Sequence, residues 1–175
     1  RRVLFRSLAS YMNAVETIAA GNNNKLDQDS ASISIKLSAL HPSYKIANVQ
    51  RVLDELVPVV LKIVDLASSL NVAVTVDAEE ANRLELSLMV FAKVYARCNE
   101  NYQGFGLVVQ AYQKRALPVL EFLTSLVEKH NRKIPLRLVK GAYWDTEIKR
   151  CQEQGLQNYP VFTRKVNTDI SYLAC

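Results

Sequence analysis

Cationic, acidic and amide side chains recur at one kind of place in this sequence, the downstream end of a short β-branched run. Lys36 falls in the alternation of Ile33, Ile35 and Leu37 with Ser34, Lys36 and Ser38, Asp77 closes residues 72–76, and Gln110 closes residues 105–110. Arg137 and Lys140 both belong to residues 135–140. A lysine and a carboxylate at the ends of neighbouring strands, on the same face, suit a small anionic substrate and are expected to pair with each other. The Gln110 amide offers a donor and an acceptor to a heterocyclic ring. Residues 136–144 combine two cations, a Gly-Ala step that permits close backbone approach and the adjacent aromatics Tyr143 and Trp144, which together fit a large planar anion. Thr163, Arg164 and Lys165, with Thr168 one turn later, bring a hydroxyl cap, two cations and free backbone amides to one helix start, as a phosphate or pyrophosphate needs.

Each feature also has a plainer reading. Lys36 can be an edge-strand lysine in solvent, Asp77 a helix cap ahead of Glu79 and Glu80, residues 136–144 a solvated basic loop, and residues 163–168 a basic turn. Strand parity puts Arg137 and Lys140 on opposite faces, so one of them needs irregular backbone to join a common site, and Arg137 is the one assigned to it. His41 and His130 are read as turn and helix-end residues without a chemical role.

The elements that must position these groups are legible from periodicity. Tyr11, Val15 and Ile18 mark a short amphipathic helix, and the polar run at residues 21–30 reads as a surface linker. The period-2 strand from Ile33 is expected to run to His41 and Pro42. Val49, Val52, Leu53, Leu56, Val60, Ile63 and Ala67 then share one helical face, which Pro58 is expected to kink or split. Three more strand-helix pairs follow: residues 72–76 with a helix through Leu84, Leu88, Phe91 and Tyr95, residues 105–110 with one through Leu117, Leu120, Leu123 and Val127, and residues 135–140 with one from Thr146.

Strict βα alternation implies an α/β fold with a parallel sheet covered by helices. No GxGxxG or Walker pattern occurs, and reactive side chains close every strand, which favours a (β/α)8 TIM barrel over a doubly wound fold. With 175 residues, against about 250 for a whole barrel, the chain is expected to hold the first four βα units.

Composition agrees with a globular domain: 49% hydrophobic and 22% charged residues. No apolar run approaches the length of a membrane span. Three scattered cysteines and two histidines provide neither a disulfide framework nor a metal-ligand set, so a reducing compartment and no metal are expected. The net charge of +5 is concentrated at the start, where Arg1, Arg2 and Arg6 stand in a segment, residues 1–7, that reads like translated adapter DNA and is expected to lie outside the fold. Residues 8–32 are then a helix and linker, and residues 33–175 the half barrel.

Taken together, the runs Ser34-Ile35-Lys36-Leu37-Ser38-Ala39-Leu40-His41-Pro42, Val76-Asp77-Ala78-Glu79-Glu80, Val109-Gln110-Ala111-Tyr112-Gln113-Lys114-Arg115, residues 137–145 and Tyr159-Pro160-Val161-Phe162-Thr163-Arg164-Lys165 strongly resemble the proline dehydrogenase domain of the bifunctional proline utilization A family. The resemblance runs in order over residues 8–175. It implies a distorted (β/α)8 barrel with non-covalent FAD that oxidises L-proline to Δ1-pyrroline-5-carboxylate by hydride transfer to flavin N5. By position, Lys36 resembles the lysine on the substrate carboxylate, Asp77 the acidic residue beside it, Arg137 the arginine near flavin N5 and Tyr143 a wall of the substrate pocket. The implied cofactor contacts are Asp77, Ala78, Val108, Gln110, Arg137, Val139, Gly141, Ala142, Trp144 by the adenine, and Thr163, Arg164, Lys165 and Thr168 around the pyrophosphate and ribityl chain.

The family's substrate-clamping arginine pair, a His-Asn cofactor contact and an acidic partner have no counterpart in this stretch. An isolated half barrel, with its edges unpaired, is expected to be unstable and inactive. The resemblance further implies the remainder of the barrel and a quinone or membrane electron acceptor as partners, and no nucleic acid. A cytoplasmic location is expected, with peripheral membrane association of the parent protein left open. The alternatives are a Schiff-base aldolase half barrel using Lys36 or Lys140, and a basic nucleic-acid-binding module suggested by the pI of 9.1.

Overall fold

The computed structural model describes residues 2–22 and 30–175. Most of the expected surface linker, residues 23–29, lies outside the described residues. Its flanks are held together by Asn22, whose side-chain amide donates to the Ala31 carbonyl (2.7 Å) and accepts from the Ala31 N–H (3.0 Å).

Helix α1 (Arg2–Gly21) precedes four strand-helix units: β1 (Ile33–Ile35) and α2 (Val49–Ser69), β2 (Val74–Val76) and α3 (Leu84–Tyr95), β3 (Phe105–Gln110) and α4 (Ala116–His130), and β4 (Leu136–Val139) with α5 (Trp144–Glu153) and α6 (Lys165–Ala174). Its backbone continues from residue 2 through residue 7. The strands form one parallel sheet in the order β1-β2-β3-β4. Ile35 stands opposite Val76, Val76 opposite Leu107, and Val108 opposite Arg137. The period-2 pleat therefore sends Ile35, Val74, Val76, Leu107 and Val109 to the helix side, where all are buried. On that side α2 presents Val52, Leu56, Val60, Ile63 and Ala67, and α3 presents Leu86, Val90 and Phe91. Phe91 stacks on Phe105 with ring centroids 4.7 Å apart. At Gly106 a side chain has no room, since a Cβ would fall 2.1 Å from the Pro135 carbonyl oxygen where β4 approaches β3.

Two expectations are corrected here. Strand β1 does not run to His41: it ends at Ile35, and Lys36 (φ −100°, ψ 120°) leads into a 3-10 turn over Leu37–Ala39. Burial of Leu37 and the bonds from Ala39 N to Lys36 O (3.1 Å) and Leu40 N to Leu37 O (3.0 Å) favour the turn, so Ser38 no longer shares a strand face with Lys36. Nor does Pro58 split α2, which is continuous. Pro58 lies on the exposed side, where water can satisfy the carbonyl freed by its missing N–H, while the buried stripe holds the helix from the other side.

Helix α5 is tied to the loop after β2 by Glu147, only 2% exposed, whose Oε1 accepts the Ala81 N–H at 2.5 Å. Burial pushes the Glu147 carboxyl above its usual range, against the opposing effects of that hydrogen bond and of Arg150. The folded chain thus holds a proton that the unfolded chain releases, so this stability is complete below about pH 4.5 and is lost as pH rises through the folded-state value. Glu147→Gln keeps the acceptor and removes the ionisation. Thermal unfolding from pH 4.5 to 7.5 should show a flatter dependence and an equal or higher Tm at pH 7. A lower Tm at pH 7 with an unchanged slope would mean that the charge itself stabilises the fold.

Candidate active site

The sheet register carries the rim residues into one line. One step beyond Ile35 opposite Val76 stand Lys36 and Asp77, and Asp77 continues across Val108 to Arg137. Asp77 and Arg137 are two strands apart, about 10 Å between backbones. The short Val108 side chain between them leaves the long guanidinium free to reach over. Arg137 Nη2 donates to Asp77 Oδ1 at 2.6 Å, and Nη1 donates to Ser34 Oγ at 3.2 Å. The expected Lys36–Asp77 pair is therefore replaced by Arg137–Asp77. Asp77 does not cap a helix either, since the next helical turn is preceded by Glu80 and has no side-chain cap.

Lys36 instead shares a hollow with Tyr143. The nearby Tyr143 side chain holds the Lys36 ammonium above the usual lysine range, with Asp77 and Glu79 adding to the effect and slight desolvation opposing it. The Lys36 N–H, freed by the end of β1, donates to the Tyr11 hydroxyl of α1 at 3.1 Å.

Gln110 fixes the bend after β4. Its buried amide donates from Nε2 to the Glu79 carbonyl (3.0 Å) and accepts at Oε1 from the Ala142 N–H (2.9 Å). The amide thus finds partners within the chain, where the sequence suggested a ligand. Arg137 reaches the inner face from regular strand, and Lys140 joins it from the bend, where Gly141 adopts φ +148° and packs so closely on Tyr112 that a Cβ would fall 2.4 Å from the ring. The irregular backbone therefore serves Lys140, and both cations reach the site.

Two hollows result. One, of about 340 Å³, is lined by Lys36, Asp77, Ala78, Val108, Gln110, Arg137, Val139, Lys140, Gly141, Ala142 and Tyr143. The other, of about 300 Å³, is lined by Tyr112, Lys140, Gly141, Trp144, Phe162, Thr163, Lys165 and Thr168. Shared Lys140 and Gly141 make them neighbours along one groove. At its far end the expected Thr163 cap is absent: Arg164 precedes α6 in extended conformation (φ −111°, ψ 129°) with no side-chain cap. That leaves the first amides of α6 to other acceptors. Among the expected cofactor residues, Arg164 lines neither hollow.

Three interactions have little or no signal in the sequence. Asp169 takes Lys140 (2.5 Å) on one oxygen and Lys165 (2.8 Å) on the other, which holds its carboxyl below the usual range. Only the Lys165–Asp169 spacing of one helical turn hinted at this. Trp144 Nε1 donates to the Phe162 carbonyl (3.0 Å) and ties the two ends of the second hollow together. Ser34 was placed on the right face, but its bond to Arg137 spans 103 residues and has no local signal.

Residues 4–175 match the sequence profile of the proline dehydrogenase family. The chain belongs to that family. It is 46% identical over 172 residues to the bifunctional protein PutA of Salmonella typhimurium, an alignment covering 96% of this chain and 13% of that protein. Its fold superposes on a solved proline utilization A with proline bound in remote sites at a TM-score of 0.97, with 49% identity over 100% of this chain and 18% of the other. A mutant of the Bradyrhizobium japonicum protein matches at a TM-score of 0.96 and 50% identity, over 99% of this chain and 18% of that one. The chain thus spans a small part of the proteins it resembles, and its four βα units belong to a TIM-barrel type of proline dehydrogenase fold.

The bend at Gly141 yields a direct test. Gly141→Ala puts a methyl group against the Tyr112 ring at a φ that L-residues rarely adopt, and should lower stability by about 1–3 kcal/mol. Urea unfolding would report the loss, and a crystal structure should show Ala142 N withdrawn from Gln110. An unchanged midpoint would show that the loop adjusts freely.

Proposed function

We propose that this chain supplies one face of a flavin-dependent proline dehydrogenase site, in which L-proline is oxidised to Δ1-pyrroline-5-carboxylate with non-covalent FAD as the acceptor. The observation that carries this reading is the single groove in which Lys36, Asp77, Arg137 and Tyr143 adjoin a second hollow ending at α6. The donor set fits a flavin dinucleotide. Val108, Val139 and Ala142 offer apolar surface to a flat ring. Lys165, Thr163 and the first amides of α6 suit the pyrophosphate, with Thr168 beside them and Trp144 toward the adenine.

When bound, FAD supplies a two-electron acceptor at N5. Arg137 stands where a cation stabilises negative charge accumulating on the ring, and Asp77 and Ser34 aim its guanidinium. Lys36 receives the proline carboxylate, with Tyr143 closing that side. The neighbours of Lys36 raise its pKa above the ordinary lysine value, the reverse of the lowering a Schiff-base nucleophile requires. Asp169 likewise raises the Lys140 pKa, so neither lysine favours the aldolase alternative. The Asp169 pairing also occupies two cations that a nucleic-acid surface would need.

The exposed apolar side chains of α6, Leu173 (84%), Ile170 (61%) and Val166 (55%), and the free edge of β4 are read as surfaces for the remainder of the barrel. The stretch alone is expected to be inactive, since the site needs those remaining surfaces. A quinone or membrane electron acceptor, a cytoplasmic location and peripheral membrane contact belong to the same reading of the parent protein.

The test uses the full-length protein. It should purify yellow, lose its colour to solution on denaturation, and bleach anaerobically on addition of L-proline. Lys36→Met should raise the KM for proline and lower kcat/KM by about one to two orders of magnitude, as for one lost charge-assisted contact of roughly 1.5–3 kcal/mol, with flavin content unchanged. No flavin after FAD addition, or no bleaching by proline, overturns the function. Unchanged kinetics in Lys36→Met removes the lysine from the substrate site.

A further inference from the structure

Glu79 does not line the groove, yet two of its atoms bind segments that do. It is 6% exposed. Its Oε1 accepts the Ser38 N–H at 3.1 Å, its Oε2 takes the Arg83 guanidinium, and its carbonyl accepts Gln110 Nε2 at 3.0 Å. Ser38 stands in the 3-10 turn that opens at Lys36. The first N–H groups of a helical turn have no partner inside it, so the carboxylate supplies one. A buried carboxylate is costly unless paired and hydrogen-bonded, and Arg83 provides the charge. Arg83 lies one turn along at i,i+4 and also has Glu80 at 3.3 Å, whereas the Ser38 contact spans 41 residues and has no local origin. On the other side, Gln110 carries the Glu79 main chain to the Ala142 N–H, next to Tyr143.

Building on the reading of Lys36 as the substrate-carboxylate group, we propose that Glu79 is a positioning residue, holding the turn that bears Lys36 in register with the bend that bears Tyr143. Its carboxylate acts on the Lys36 side and its main chain, through Gln110, on the Tyr143 side. Losing the carboxylate frees Ser38 and lets the ammonium wander from its place, while the Gln110 bonds stay intact.

A double-mutant cycle in the full-length protein tests this, with Lys36→Met, Glu79→Ala and the double variant compared with wild type by KM and kcat for L-proline, flavin content and Tm. Glu79→Ala should raise KM about tenfold, with kcat within about threefold of wild type and flavin content unchanged. In the Lys36→Met background it should raise KM no further. Glu79→Gln retains an acceptor for the Ser38 N–H and should bring KM back to within about threefold of wild type. Glu79→Asp keeps the buried charge but falls short of Ser38, so it should behave as Glu79→Ala does and reads the same cycle if the alanine variant does not fold. An equal KM increment in both backgrounds, or a change confined to Tm, overturns the positioning role and leaves the substrate reading standing. A wild-type KM in Lys36→Met overturns both.

Discussion

Parallel pairing with Ile35 opposite Val76, Val76 opposite Leu107 and Val108 opposite Arg137 is the constraint on which the remaining structure depends. Because the pleat has a period of two, the register that buries Ile35, Val76, Leu107 and Val109 beneath the helices also lines up Lys36, Asp77, Val108 and Arg137 on the opposite face. A slip of one residue would turn both sets over together. Core formation and site formation are therefore one event. The apolar face supplies the free energy that holds three polar side chains where they have no strong reason to assemble on their own.

Within that frame, buried and exposed polar contacts divide the labour. Gln110 and Glu79 are buried, and their bonds join the turn after β1, the loop after β2 and the bend after β4. Breaking one strands a polar group away from water, so these bonds define geometry. The Arg137–Asp77 pair is different, with the two side chains 52% and 24% exposed. Water screens such a pair to about 0–1 kcal/mol. It can aim a guanidinium, and it can give up a partner to a ligand at low cost. The Lys140–Asp169–Lys165 cluster has the same character, and it tempers the positive charge at the end of the groove that is read as the pyrophosphate site.

The boundaries most legible in the sequence were those set by strong local pattern. The helices at Val49–Ser69 and Leu84–Tyr95 follow their hydrophobic periods closely, because each buries a face whose spacing matches its own geometry, and Phe105–Gln110 follows a short apolar run that is buried throughout. Lys36 was harder: alternation continued through Leu37 and Ser38, but Leu37 is buried by turning into the core, and tertiary packing outweighed the local period. At Pro58 the burial of a whole stripe likewise outweighed one lost hydrogen bond.

By itself, the sequence determined the α/β alternation, the placing of reactive side chains at strand ends and the membership of the proline dehydrogenase family, since each is written in residue type and spacing along the chain. Which of those side chains meet was decided only by the tertiary structure. Arg137 rather than Lys36 takes Asp77, because reach across Val108 depends on strand order and side-chain length together. Lys36 shares a hollow with Tyr143, Glu79 meets Ser38, and Asp169 meets Lys140 for the same reason. Such pairings join residues distant along the chain through angles and distances that exist only once the sheet has formed, so no local pattern encodes them.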